Sequence, residues 1–166
     1  MAKAKSGVPA GLHTVTPHLI MNDTSSALAW YEKALGAETL SKSPGPDGRI
    51  MHAEMRIGNS HIYLNDEMGG GRSLKALGGS PVSLWIYVDD CDALFNRAVA
   101  AGAKVAPGPM GQLTDQFWGD RSGTLTDPQG YQWTIATRKE DLTMEETKRR
   151  MDEFMKNFAG QQPAHR

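Results

Sequence analysis

Two histidines, a tyrosine and a glutamate have side chains that suit a reactive site. His61 and Tyr63 are two residues apart, so they share one face of a strand. Histidine titrates near neutrality and a buried tyrosine can donate to a developing oxyanion, which makes His18, His61 and Tyr63 candidate acid–base groups. Imidazole and carboxylate are also metal ligands. His18, His61 and Glu54 therefore form an alternative metal-binding set if the fold brings them together.

A larger group of residues suits the binding of a small molecule. Aromatic rings can stack on a flat ligand, and hydroxyl, amide and imidazole groups can orient it. Arg121 can hold an anionic group, although an ion pair with Asp115 or Asp120 is an equal alternative. The predicted ligand-binding residues are Thr16, His18, His61, Tyr63, Ser83, Trp85, Tyr87, Phe117, Trp118, Arg121, Gln132 and Thr134.

The composition argues against several classes of function. Lys and Arg number 18 and Asp and Glu number 19, so the chain lacks the basic excess typical of nucleic-acid binding. The single cysteine, Cys91, allows no intrachain disulfide, and no apolar run is long enough to cross a membrane. We expect a globular cytoplasmic protein with neither a nucleic-acid nor a membrane partner.

Two segments carry the same helix signals 66 residues apart. Ser25 to Leu35 has apolar residues at helical spacing, a polar N-cap before it and a glycine after it, and Asp90 to Ala101 repeats this pattern. Because strand-like segments surround each helix in the same order, we predict two copies of a β-α-β-β-β unit. The matched pairs are Asp23 with Asp89, Ala27 with Ala93, Leu28 with Leu94, Ala34 with Ala100, Gly36 with Gly102 and Ala37 with Ala103.

Turn and capping signals divide the chain further. A capping box at Thr143 and Glu146 predicts a C-terminal helix, whose apolar face must pack on this domain or on a second subunit. The predicted segments are a flexible arm (1–12), the first repeat (13–67), a glycine-rich linker (68–80), the second repeat (81–138), the C-terminal helix (139–158) and a disordered tail (159–166).

The alternation within the strands predicts a cleft. One strand face of each repeat must pack on the helix, which leaves the opposite face free. That free face is rich in hydroxyls, imidazoles and aromatic rings, so it suits a cavity lining better than a core. Thr14 to Met21 is predicted to be the first strand, with Val15 on the packed face. Trp133 and Ile135 are predicted to face the helix, and Gln132 and Thr134 the cleft. The predicted fold is α+β, with two β-α-β-β-β repeats forming curled half-barrel sheets around a cleft, plus a C-terminal helix.

Three motifs resemble those of the glyoxalase I, bleomycin-resistance and extradiol dioxygenase superfamily, also called vicinal oxygen chelate proteins. They are the helix NDTSSALAWYEKALGAE, the hairpin GNSHIYL and the terminal DPQGYQWTIA. The resemblance covers Thr14 to Arg138 and is greatest to uncharacterised glyoxalase-like and bleomycin-resistance-like proteins. It implies half-barrels that wrap a cleft and are often completed in a homodimer.

The resemblance also implies where a metal would be bound. Enzymes of this superfamily use His, Glu or Gln from the first and last strands of each repeat, and these positions match Thr16, Tyr63, Ser83 and Thr134 here. Neutral hydroxyls are poor ligands for Zn, Ni or Fe. We therefore expect no metal and no cofactor at these positions.

Three functions remain open from the sequence. The first is a metal-independent small-molecule binding protein, homodimeric, that sequesters a drug or metabolite. The second is a metal-dependent lyase, isomerase or dioxygenase that uses the displaced ligands His18, His61 and Glu54. The third is a homodimeric scaffold whose cleft is vestigial.

Overall fold

The computed structural model describes residues 6–159 and contains two sheets that repeat one topology. Sheet A comprises β1 (His18–Met21), β2 (Glu38–Pro44), β3 (Ile50–Ile57) and β4 (Ser60–Asp66), in the order β1-β4-β3-β2. Sheet B comprises β5 (Ser83–Tyr87), β6 (Lys104–Val105), β7 (Thr114–Asp115), β8 (Asp120–Thr126) and β9 (Gln132–Arg138), in the order β5-β9-β8-β6 with β7 beside β8. The helices are α1 (Thr24–Leu35), α2 (Leu74–Leu77), α3 (Cys91–Ala100) and α4 (Met144–Ala159).

The first and last strands of each repeat are parallel neighbours, β1 with β4 and β5 with β9. The chain must cross over to make such a pair, and α1 and α3 begin these crossovers. The predicted α+β fold, with two β-α-β-β-β repeats and a C-terminal helix, is confirmed, and neither sheet closes into a barrel.

Matching N-caps start the two long crossover helices. The Asp23 carboxylate accepts a hydrogen bond from the Ser26 amide, and the Asp90 carboxylate accepts one from the Ala93 amide, both at 2.9 Å. Each bond satisfies one of the free amides of a first helical turn. Gly36 ends α1 in the left-handed region at φ 68°, as the sequence predicts.

A side chain near the end of each parallel partner strand holds the start of the crossover helix in place. Asp66 of β4 accepts from the Thr24 amide at 2.6 Å and, through its other oxygen, from the Ile50 amide at 2.6 Å. Thr137 of β9 accepts from the Cys91 amide at 2.9 Å. The two repeats therefore fix their strand–helix junctions in the same way, with a carboxylate in one and a hydroxyl in the other.

Helices α1 and α3 pack against each other, and side chains satisfy their terminal carbonyls. Arg97 of α3 donates to the carbonyls of Lys33 and Glu32 in the last turn of α1, at 2.6 and 2.9 Å. Trp30 of α1 returns a bond from Nε1 to the Ala101 carbonyl at 2.9 Å. Cationic groups are favourable at helix C-termini, so this exchange stabilises both helix ends and joins the repeats.

The buried carboxylate of Asp127 is the second junction between the repeats. It accepts from the Tyr31 hydroxyl on α1 at 2.6 Å and from Trp133 Nε1 on β9 at 2.8 Å. It also accepts from the amides of Gln129 and Tyr131, which closes the turn before β9. The rings of Tyr31 and Trp133 meet edge to face, with centroids 5.5 Å apart. Trp133 is therefore a core residue, as predicted.

Two boundaries differ from the prediction for local reasons. The first strand begins at His18 rather than Thr14, because Pro17 has no amide hydrogen to extend the ladder. Val15, predicted to be on the packed face, is consequently exposed. Helix α3 has its C-cap at Ala101 rather than Gly102, and Gly102 takes the positive φ of 101° one residue later.

The segments outside the repeats contain more structure than the sequence predicts. The glycine-rich linker contains α2, which the Ser73 hydroxyl caps by accepting from the Ala76 amide. The C-terminal helix α4 extends to Ala159, so the predicted tail falls almost entirely on residues outside the described range. No helix between residues 6 and 159 combines the length and apolarity that a membrane span requires.

We predict that Tyr31→Phe lowers the free energy of unfolding by roughly 1–3 kcal/mol, because Asp127 then loses a buried hydrogen-bond donor. Urea denaturation followed by circular dichroism measures the change. Tyr63→Phe is the matched control, since the Tyr63 hydroxyl makes no hydrogen bond with residues 6–159 and should change stability little. Equal losses in both variants would contradict a special role for the Tyr31–Asp127 bond.

Candidate functional site

A cavity of about 480 Å³ lies where the two repeats meet. Three segments form its walls: the chain before β1, the β3–β4 turn and the edge strand β5. Its volume is within the range of small-molecule sites, ~300–1,000 Å³. The lining residues are His13, Val15, Thr16, Pro17, Ile57, Gly58, Asn59, Ser60, His61, Ile62, Leu84, Trp85, Ile86, Tyr87, Val88 and Trp133.

One buried carboxylate holds the aromatic side of this cavity. Asp120, 2% exposed, accepts hydrogen bonds from the Tyr87 hydroxyl, Trp118 Nε1 and Arg138 Nη1, each at 2.9 Å. Burial, followed by the bond to Asp120, raises the pKa of Tyr87 above its ordinary value. Tyr87 therefore remains a neutral phenol whose hydroxyl is bonded to Asp120 while the residue lines the cavity.

The aromatic residues form a continuous chain of contacts, which we call the aromatic wall and define as Trp85, Tyr87, Phe117 and Trp118. Trp85 stacks on Tyr87 with centroids 6.1 Å apart and contacts Trp118 at 6.4 Å. Phe117 meets Trp118 edge to face at 4.8 Å. On its far side Phe117 contacts Phe154 of α4 at 5.3 Å, so the C-terminal helix packs behind the wall.

The segment between β9 and α4 is bonded to the loop that carries the wall. The Gly119 carbonyl accepts from the amides of Lys139 and Glu140, at 2.9 and 3.0 Å, and the Trp118 carbonyl accepts from Arg138. Gly119 has φ 92°, and a Cβ there would lie 2.5 Å from the Glu140 carbonyl oxygen. Only glycine allows this close approach.

The two candidate histidines have different partners. His61 Nδ1 lies 2.6 Å from Glu54 Oε1, and the imidazole lines the cavity while the carboxylate lies behind it. His18 Nε2 is instead hydrogen-bonded to Asn65 Oδ1. The His18 and Tyr63 rings are in edge-to-face contact at 6.5 Å. His61 thus lies within the cavity, and His18 and Tyr63 form a separate cluster.

The predicted ligand-binding residues fall into three sets. Thr16, His61, Trp85 and Tyr87 line the cavity, and Phe117 and Trp118 support its aromatic wall. The others lie outside it: His18 in a smaller cavity of about 290 Å³, Tyr63 beside it in sheet A, Ser83 and Gln132 opposite each other on β5 and β9, Arg121 on β8, and Thr134, which is buried and shares a 2.9 Å hydrogen bond with Thr124.

Arg121 is held by carboxylates of its own chain. It donates two hydrogen bonds of 2.7 Å to Asp92 on α3 and one of 3.2 Å to Asp115 on β7. The Arg121 guanidinium holds the pKa of Asp92 below its ordinary value. Of the two partners that the sequence suggested for Arg121, Asp115 does form an ion pair with it, whereas Asp120 bonds to other donors instead. The geometry makes Arg121 a link between β8 and α3.

The donors at the superfamily's metal positions do not suit a transition metal. Thr16, Tyr63, Ser83 and Thr134 provide only neutral hydroxyls, and the Thr134 hydroxyl is already bonded to Thr124. The displaced set does not converge either. Within residues 6–159 no three His, Cys, Asp or Glu side chains are grouped so that they could share a metal, and His18 bonds Asn65 whereas His61 bonds Glu54.

Several residues that shape the cavity have no counterpart among the predicted binding residues. His13, Asn59, Ser60 and the apolar edge of β5 line it, and Asp120 supports its wall. The two-residue turn at 58–59 is the sequence signal that could have identified Asn59 and Ser60, because it pairs Ile57 with Ser60 and thereby sets the register of the hairpin. The contribution of the chain before β1 depends on tertiary packing and has no such local signal.

We predict that Asp120→Ala lowers the free energy of unfolding by roughly 1–3 kcal/mol, because three donors lose their shared acceptor. The variant should also lose near-ultraviolet circular dichroism from the tryptophans as the aromatic wall loosens. Asp92→Ala is the matched control: it breaks an ion pair whose carboxylate is half-exposed and solvent-screened, so it should change stability little. An unchanged tryptophan signal in Asp120→Ala would contradict the assigned role of this carboxylate.

Comparison with known proteins agrees with this architecture. The family model described as Glyoxalase/Bleomycin resistance protein/Dioxygenase superfamily matches residues 11–135. An uncharacterized protein of Mycobacterium tuberculosis (strain ATCC 25618 / H37Rv) is 42% identical over 137 residues, which span 80% of this chain and 78% of that protein.

Two solved structures share the fold. TioX from Micromonospora sp. ML1 has a TM-score of 0.60 at 24% identity, covering 79% of this chain and 100% of its own. A bleomycin-binding protein complexed with bleomycin has a TM-score of 0.52 at 19% identity, covering 78% and 99%. On its sequence match and its paired β-α-β-β-β repeats, the chain belongs to the glyoxalase/bleomycin resistance protein/dioxygenase superfamily.

Proposed function

We propose that this chain is a metal-independent small-molecule binding protein that holds its ligand in the cavity between the repeats and sequesters it. The observation that carries the proposal is the built aromatic wall: Trp85 and Tyr87 stack on each other and line the cavity, while Asp120 fixes the tyrosine hydroxyl and the neighbouring Trp118. A wall that is already positioned binds a flat molecule without a large ordering cost.

The polar groups of the cavity support binding more than they support metal chemistry. Thr16, Ser60 and His61 give it a few hydrogen-bonding groups among mostly apolar neighbours, which is the usual composition of a ligand site. The bleomycin-binding protein that shares this fold is a precedent for a ligand-holding member of the superfamily. A vestigial cleft would not need a buried carboxylate to position its aromatic residues.

A homodimer is part of the proposal. Strands β1 and β5 each lie at the edge of a sheet with one side unpaired, and Val15, Val82 and Trp85 are exposed beside them. Exposed edges and apolar side chains of this kind are usually covered by a partner. We propose a cytoplasmic homodimer. Size-exclusion chromatography coupled to light scattering would measure its mass.

We predict that a ligand found by thermal-shift screening of flat aromatic compounds raises the melting temperature of the wild type and not that of Trp85→Ala. A ligand at 100 times its Kd stabilises by about 2.7 kcal/mol, or roughly 5–10 °C for a chain of this size. Leu77→Ala, which removes another exposed apolar side chain away from the cavity, should retain the full shift.

Elemental analysis of the same preparations separates the competing functions. One tightly held Ni, Zn or Fe per subunit would refute the metal-independent reading and favour the lyase, isomerase or dioxygenase alternative. Equal thermal shifts in the wild type and Trp85→Ala would place the ligand outside the cavity. Absence of any stabilising ligand across the screen would favour the vestigial scaffold.

A further inference from the structure

The His61–Glu54 pair has a defined hydrogen-bonding direction. The two residues lie on antiparallel neighbours β3 and β4, and Glu54 is two positions along β3 from Arg56, the residue opposite His61. Both side chains therefore lie on one face, and Nδ1 approaches the carboxylate to 2.6 Å. An ionised carboxylate can only accept, so the ring carries its hydrogen on Nδ1. In the neutral imidazole Nε2 is consequently the acceptor.

The imidazole is on the cavity side of the pair. His61 lines the cavity and Glu54 does not. The chain before β1 passes the imidazole at Gly11, where an added Cβ would lie 3.6 Å from Nε2. Gly11 has φ 84° and brings no hydrogen-bonding side chain to the imidazole. No protein group among residues 6–159 hydrogen-bonds Nε2.

The other histidines are not equivalent to His61. His18 uses its Nε2 on Asn65, and the His52 ring packs on Tyr63 with centroids 4.9 Å apart. His13 lines the cavity without a carboxylate partner in the described chain. His61 is therefore the cavity histidine whose tautomer is set by a carboxylate.

The remaining lining restricts the charge of a ligand. No Asp, Glu, Lys or Arg belongs to the cavity walls that residues 6–159 form. A molecule with a permanent charge would lose hydration there without gaining an ionic partner, which is costly. A neutral flat molecule loses little hydration free energy there, and it gains aromatic contact with Trp85 and Tyr87.

We propose that the cavity selects neutral aromatic ligands that carry an acidic O–H or N–H group, such as phenols, and that His61 Nε2 accepts this hydrogen. This inference rests on the proposed binding function and specifies its ligand class. Glu54 is a positioning residue: it keeps the hydrogen on Nδ1 and the lone pair of Nε2 toward the ligand. The ring of the ligand then lies against the aromatic wall.

The test compares phenol with anisole, which has the same aromatic ring but no O–H and, like phenol, carries no charge near neutral pH. Both are titrated against the full chain with the change in tryptophan fluorescence as the readout. We expect the wild type to bind the phenol about tenfold more tightly, since one buried hydrogen bond distinguishes the probes. His61→Phe, which keeps a ring but removes the acceptor, should bind both probes equally.

Glu54→Gln tests the positioning role without changing the shape of the pair. The ratio of the two dissociation constants should fall toward one, whereas a merely structural loss would weaken both probes alike and leave the ratio unchanged. Thermal melts check that each variant is folded. If His61→Phe does not fold, the ratio measured for Glu54→Gln decides whether the assignment to His61 holds.

The outcomes separate this assignment from the proposed function. A phenol preference that survives both substitutions, or no preference in the wild type, would overturn the assignment to His61 and leave cavity binding intact. Failure of both probes to bind would also overturn it, and the Trp85-dependent thermal shift would still decide the binding function independently.

Discussion

The carboxylate of Asp127 is the constraint on which the relation of the two repeats depends. Its two oxygens accept four hydrogen bonds, from a helix of the first repeat, from a strand of the second and from the turn between β8 and β9. A buried carboxylate is tolerated only when its lone pairs are satisfied. Because Tyr31 is one of these donors, α1 cannot shift relative to β9 without breaking a hydrogen bond to a buried carboxylate. The cavity lies next to this junction, with Trp133 belonging to both.

A second carboxylate, Asp120, plays the corresponding part for the aromatic wall. Tyr87, Trp118 and Arg138 come from three different segments and converge on it. The ring faces next to the cavity are thus held from behind by polar bonds, while the surface that a ligand would meet stays neutral. This separation of a charged support from an uncharged lining explains how a site with few hydrogen-bonding groups can still be rigid.

The sequence was most informative where structure is decided locally. The cap signals predicted at Asp23 and Asp89, the helical periodicity and the strand alternation around Trp133 depend on near neighbours, and they predicted the repeats, the fold class and the core position of Trp133. The second cap lies one residue later, at Asp90. Pairings across long separations were less accessible. Arg121 reaches Asp92, 29 residues away, and the strand predicted from Thr14 begins only at His18 because Pro17 interrupts the ladder. The pairing of His61 with Glu54 was partly predictable, since the hairpin turn sets the register that brings the two residues together.

The hydrogen bonds at Gly119 have a consequence for how relatives of this chain can diverge. The segment that binds Gly119, residues 138–140, lies beyond the stretch matched by the family model, which ends at residue 135. It is nevertheless bonded to the loop that carries Phe117 and Trp118, and α4 packs on Phe117 from behind. A change in the C-terminal extension can therefore reshape one side of the cavity while both repeats keep their sequence. The shape of this cavity in such proteins need not follow similarity within the repeats, because part of the aromatic wall is supported from outside them.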